Sequence, residues 1–88
     1  MSMWLRLSCG ILDDPKVQRL APEHFKGWVN ILCLAKENDG LLPSIGDLAF
    51  RLRMSEADAE RLVEELAKRG LLDTDGDGLR PHDWRLVF

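Results

Sequence analysis

Eighty-eight residues, 45% hydrophobic and 31% charged, make one domain with one modest core, because a chain this short buries only about 60% of its unfolded surface. A net charge of −3 speaks against a domain that holds nucleic acid by charge alone, which is usually basic. No apolar run approaches the roughly 20 residues that span a bilayer, and no repeat or low-complexity tract divides the chain.

The first residues, "MSMWLRLSCGILDD", do not read as a signal peptide: they lack a basic start, and two aspartates cut the apolar run short. Cys9 and Cys33 are too few for a disulfide framework and lack the C-x-x-C spacing of a zinc or redox site. They read as reduced, mostly buried thiols of a cytoplasmic protein.

Residues 3–8, "MWLRLS", alternate Met3, Leu5 and Leu7 against Trp4, Arg6 and Ser8, the pattern of a short strand. Asp14 then caps a short helix that opens at Pro15, where a missing N–H costs nothing, and ends near Leu20. A second proline, Pro22, opens a longer helix that runs to Asn38. Phe25, Trp28, Val29, Leu32 and Ala35 form its apolar stripe, and Ile31, Cys33 and Leu34 widen it. So broad a stripe marks the central helix, or one that also meets a partner. Gly27 weakens it by ~1 kcal/mol relative to alanine, which points to close approach by a neighbour. Asn38-Asp39-Gly40 ends it, and "LLP" is long enough only for a very short strand.

Ser44 caps the next helix, where Ile45, Leu48, Ala49 and Leu52 recur at i, i+3, i+4 and i+7, up to about Arg53. Ser55 caps the last, with Asp58 three residues on in a weaker form of the capping box. Its stripe is Ala59, Leu62, Val63, Leu66 and Ala67, and Gly70 supplies a left-handed stop. Two helices joined by a short turn centred on Met54 read as a helix-turn-helix. "LLD" and "LRP" then flank Asp-Gly turn signals, the mark of a hairpin.

The hexapeptide "DTDGDG", Asp73 to Gly78, also begins like a calcium loop. The twelfth position of such a loop requires a bidentate glutamate, and here it is Trp84. The ninth is Pro81, which no helix in phase could follow. The hairpin tip is the reading kept. The fold expected is therefore α+β and mostly helical: a single winged-helix domain over residues 1–88, with a two-stranded wing and short strands at both ends. Its expected core is Leu5, Leu7, Val17, Leu20, Phe25, Trp28, Val29, Leu32, Ile45, Leu48, Leu52, Leu62, Val63, Leu66, Leu71, Leu79 and Trp84.

The Trp4 segment, "LDDPKVQRL", "GWVNILCLA", "NDGLLP", "DLAFRLRMSEADAERLVEELAKRGLL" and the closing "PHDW" follow an order that resembles the N-terminal winged-helix domain of phage replisome organisers, proteins similar to DnaD-like primosome components. The resemblance covers nearly the whole chain and rests on the order of segments rather than on any single motif. It implies a part in starting DNA replication, through DNA contact, self-assembly or both. Family members of this kind carry a further C-terminal domain, so the chain reads as a cut domain or as a stand-alone relative.

The second helix of a helix-turn-helix enters the major groove. Here that helix carries five acidic residues, Glu56, Asp58, Glu60, Glu64 and Glu65, against Arg61, Lys68 and Arg69. The wing adds three aspartates and one arginine. Contacts to double-stranded DNA fall to Arg51, Arg53, Arg61, Lys68 and Arg80, and binding should be weak. Glu64–Lys68 and Glu65–Arg69 stand at i, i+4 in the favourable order, whereas Glu56, Asp58 and Glu60 are left unpaired in a first turn whose dipole suits them. The alternative reading makes that acidic face the site of a stand-alone module, of phage anti-defence type, that inhibits a nucleic-acid-handling host complex. His24, read as an exposed helix-start residue, and His82 stand far apart without a metal-ligand neighbour, and no nucleophile motif surrounds any serine. No enzyme, metal or cofactor is expected. The apolar excess of the central helix, with end segments "MWLRLS" and "WRLVF" that could pair, points to a homodimer.

Overall fold

The computed structural model describes residues 3–75 and 78–82. After a 3-10 turn at Cys9–Asp13 come α1 (Pro15–Gln18), α2 (Pro22–Glu37), α3 (Ile45–Leu52), α4 (Glu56–Lys68), and strands β1 (Leu72–Asp75) and β2 (Gly78–Pro81). The architecture is α+β and mostly helical, with one small antiparallel sheet. Among the described residues no helix is long and apolar enough to cross a membrane.

The helix starts are built by short polar side chains. Asp14 Oδ1 accepts from the Lys16 N–H at 3.0 Å, Ser44 Oγ from Asp47 at 3.3 Å and Ser55 Oγ from Asp58 at 3.0 Å. The helix ends share one device. Gly70 (φ 79°) follows α4 while the Gly70 and Leu71 N–H groups donate to Ala67 O and Leu66 O. This paired closure satisfies carbonyls that the helix itself leaves open. After α3 the same two bonds form, from Arg53 to Phe50 O and from Met54 to Ala49 O. There the left-handed residue is Arg53 (φ 57°), which makes α3 and α4 a tightly joined pair. After α2 it is Asp39 (φ 54°), with the Gly40 N–H on Ala35 O at 2.7 Å.

The hairpin pairs Leu72 with Pro81, Asp73 with Arg80, Thr74 with Leu79 and Asp75 with Gly78. The His82 N–H donates to Leu71 O at 3.0 Å. Hydrogen-bonded and non-bonded pairs alternate in an antiparallel ladder, so Pro81 falls at a non-bonded position where its missing N–H faces away from β1. By the same parity Leu79 O also faces outward, and it accepts from the Leu42 N–H at 2.9 Å. The "LLP" segment thus lies along β2 but holds it by this single bond and forms no strand. The turn residues 76 and 77 lie outside the described residues, as do Trp84 and the end segment 84–88.

The core runs through every helix and reaches the sheet: Val17 and Leu20; Trp28, Ile31, Leu32, Leu34 and Ala35; Leu42; Leu48 and Ala49; Ala59, Leu62, Val63 and Leu66; Leu71 and Leu72. Leu5, Phe25, Val29, Ile45, Leu52 and Leu79, expected inside, are half-buried and pack against it. Gly27 admits the close approach its position suggested. A Cβ there would stand 2.6 and 2.8 Å from the two methyls of Leu62, so α2 and α4 touch through the missing side chain.

Two further expectations fail. Residues 3–8 form no strand: among the described residues they meet no sheet edge, and Trp4 is 82% exposed and Leu7 39%. A strand is defined by its ladder, so alternation without a neighbouring edge yields only extended chain. Ser8 instead caps the 3-10 turn, its Oγ accepting from Gly10 at 3.0 Å. Nor are the thiols buried: Cys9 and Cys33 are both exposed. Cys33 belongs to the outer stripe of α2 with Lys26, Asn30 and Glu37, and Cys9 opens a turn that buries nothing. The first helix does end near Leu20 as expected: α1 stops at Gln18, Arg19 caps it, and Leu20 reaches the core from the loop that follows.

Candidate functional site

Two surfaces gather the residues singled out by sequence. The first is a groove of about 630 Å³ between the first turn of α2 and the length of α4. Glu23 and His24 line it from α2, Met54 from the interhelical turn, and Asp58, Arg61, Leu62, Glu64, Glu65 and Lys68 from α4. The Gly27–Leu62 contact brings the two helices together here. Of the five acidic candidates, Asp58, Glu64 and Glu65 line the groove and Glu56 and Glu60 do not.

Internal pairing reduces this acidity. Arg61 bonds Asp58 one turn away, so Asp58 is not the unpaired carboxylate the sequence suggested. The i, i+3 spacing and the adjacent first turn of α4 suffice to close that pair. Arg69 Nε donates to Glu65 Oε1 at 2.6 Å, the expected i, i+4 pair. That hydrogen bond holds the Glu65 carboxyl below its ordinary value; the charges of Arg69, Lys68 and His24 act the same way, and partial burial opposes them. Glu64 and Lys68, also expected to pair, are not joined within 4 Å. His24, the third residue of α2, is half-buried at the groove wall rather than exposed.

The second surface lies on the outer side of α3. Arg51 grips Glu37 through both guanidinium nitrogens, at 3.0 and 3.1 Å. These hydrogen bonds, and then the charges behind them, lower the Glu37 pKa and raise that of Arg51. Beside them Phe50 is 82% exposed at the edge of a recess of about 370 Å³ that includes Leu34 and Pro43.

The five candidate DNA contacts are therefore dispersed. Arg61 and Lys68 line the first groove and Arg51 the second. Arg53 is spent on the backbone turn, its side chain exposed. Arg80 reaches Asp39 O at 3.2 Å. Of the five, Arg51 and Arg61 pair with described carboxylates, whereas Arg53 and Lys68 make no side-chain hydrogen bond or ion pair among the described residues. On the hairpin, Asp73 faces Arg80 across the ladder and its Oδ2 lies 2.8 Å from His82 Nδ1. Among the described residues no three metal-binding side chains cluster.

Sequence reasoning passed over Glu23, Glu37 and Phe50. Glu37 and Arg51 meet across 14 residues with no local pattern to announce them. Phe50 did leave a signal: it stands off the Ile45, Leu48, Ala49, Leu52 stripe, an aromatic side chain on a polar helix face. No protein-family model, curated protein or solved structure matches the chain.

Proposed function

We propose that the chain is a winged-helix module of the type that starts DNA replication, and that it works by protein contact, self-assembly included, rather than by gripping duplex DNA. The winged-helix reading is supported by the order of elements: two helices with Ser44 and Ser55 caps, a tight turn between them, and a hairpin directly after. The observation that carries the protein-contact reading is the state of the cations. Of the five candidate contacts, Arg51 and Arg61 are neutralised by Glu37 and Asp58 and Arg80 is turned onto Asp39 O, which leaves Arg53 and Lys68 most available to phosphate. The salt dependence of binding counts the phosphates neutralised, at about −0.9 per contact in log K against log salt. Fluorescence anisotropy with a labelled duplex, at about 50 and about 200 mM salt, should give weak binding with a slope near −2. Tight binding that survives the higher salt, or a slope steeper than about −4, overturns the reading.

A specific observation favours a second reading, the acidic module of phage anti-defence type that meets a basic protein surface. Glu23 joins Asp58, Glu64 and Glu65 around one groove with an apolar base at Met54 and Leu62. A Lys-rich amphipathic peptide should then bind the protein, and Glu23→Gln with Glu64→Gln should weaken that binding more than Glu56→Gln with Glu60→Gln does. Equal losses would indicate bulk acidity and no site.

A further inference from the structure

We infer that the outer face of α3 is a docking surface for a second copy of this chain, with Phe50 of each copy seated in the recess of the other. The inference rests on the protein-contact reading and names the surface. A two-fold contact joins a patch to itself, so the patch must contain both a projection and something to receive it. Here both are present side by side. Phe50 projects from α3, and next to it the recess between the end of α2 and the start of α3 has Leu34 and Pro43 in its lining and about 370 Å³ of space. Among the described residues the patch holds one cation, Arg51, and two carboxylates, Glu37 and Asp47, of which only Glu37 is paired. Asp47 and Arg51 share its helix face, and no cation within 4 Å neutralises Asp47, so a two-fold contact can set each Asp47 beside the second copy's Arg51. The Glu37 clamp fixes the Arg51 side chain and leaves it further N–H donors for the second copy's Asp47.

Area fixes the strength. An aromatic side chain buries about 150–250 Å². Two reciprocal insertions with the recess walls amount to roughly 600–1,000 Å², short of the ~1,200 Å² at which stable interfaces begin. The dimer is accordingly weak, half-formed on the order of hundreds of micromolar.

Sedimentation velocity of the full chain from about 10 to about 500 μM tests this. The expected result is a shift from 10.0 kDa toward twice that mass as concentration rises. Phe50→Ser should weaken association about tenfold or more while leaving thermal unfolding unchanged, since Phe50 supports nothing in the core. Trp4→Ser, which removes an equally exposed aromatic elsewhere, should leave the dimer as it was. A chain that stays at 10.0 kDa throughout overturns both the inference and the self-assembly part of the proposed function. A dimer that persists in Phe50→Ser, or that is lost in Trp4→Ser instead, overturns the inference alone.

Discussion

Two glycines inside helices should respond to alanine with opposite signs. Gly46 lies in the first turn of α3 with nothing within 4 Å of where a Cβ would stand. Gly46→Ala restricts the unfolded chain and favours the helix, so it should stabilise by about 0.4–1 kcal/mol. Gly27→Ala gains a similar helix term, up to ~1 kcal/mol. Its new methyl, however, would stand 2.6 and 2.8 Å from the two Leu62 methyls and 3.3 Å from Leu62 Cγ. Carbon atoms prefer about 3.5–4.0 Å, so Leu62 must move. Leu62 is 2% exposed and both its methyls are implicated, which rules out a simple swing into solvent. Overpacking of this kind costs about 1–3 kcal/mol, so the net effect is a loss of roughly 0–2 kcal/mol. For a domain of this size each kcal/mol moves the melting temperature by about 4–8 °C. Urea unfolding of both variants, with unchanged m, should separate them by about 1–3 kcal/mol. The cycle with Leu62→Ala should show coupling, because removing the methyls removes the clash. If Gly27→Ala stabilises as much as Gly46→Ala, or if the cycle shows no coupling, the α2–α4 contact is not as described.

Arg53 holds a left-handed conformation that costs an L side chain about 1–2 kcal/mol, so Arg53→Gly should raise the unfolding free energy by up to ~1 kcal/mol after the added freedom of the unfolded chain is counted, as urea unfolding would show. Removing one of the two candidate contacts that no side chain engages, the same variant should weaken any duplex binding about equally across sequences, and a sequence-selective loss would mean that Arg53 reads bases. The Glu37 and Glu65 carboxyls are both held below their ordinary value by Arg51 and Arg69, so their contribution to stability is complete above the ordinary glutamate range and is lost as pH falls through the depressed values. Thermal melts taken from neutral pH down through the carboxylate range should therefore fall less steeply in an Arg51→Gln, Arg69→Gln variant than in the parent chain; parallel curves would show that the two pairs contribute nothing.

What was legible in the sequence was local. Asp14, Ser44 and Ser55 announce helix starts because a cap acts on N–H groups two or three residues away, and the structure has all three bonds. Gly70 announces a stop for the same reason. Arg53 and Asp39 close helices in the manner of Gly70 without being glycine, so residue type did not mark their left-handed backbone. The "MWLRLS" segment shows the limit from the other side, since alternation is necessary for a strand and a neighbouring edge is what completes one. Leu42 had no helical period to place it, yet it is buried, held against β2 by a bond to a residue 37 positions away. Ile31 and Leu34 were read as widening the stripe of α2, and both are buried, while Cys33 between them faces out. Periodicity gives the direction of a stripe better than its width.

The same division between local and distant applies to the charges, and it changes what the acidity means. Counted along the chain, α4 and the hairpin have an excess of carboxylates that would repel a phosphate backbone. In three dimensions Arg61 and Arg69 hold Asp58 and Glu65, and the acids of the first turn of α4 face a favourable helix dipole. The field near α4 is accordingly weaker than the count implies. The pairing that neutralises those carboxylates also neutralises the guanidinium charge, so each paired arginine attracts a phosphate less. On the proposed reading, weak duplex binding follows less from repulsion than from how few of the five candidate contacts are unengaged. The surfaces left available are a half-apolar groove with acidic walls and an exposed phenylalanine beside a recess, both suited to the side chains of another protein.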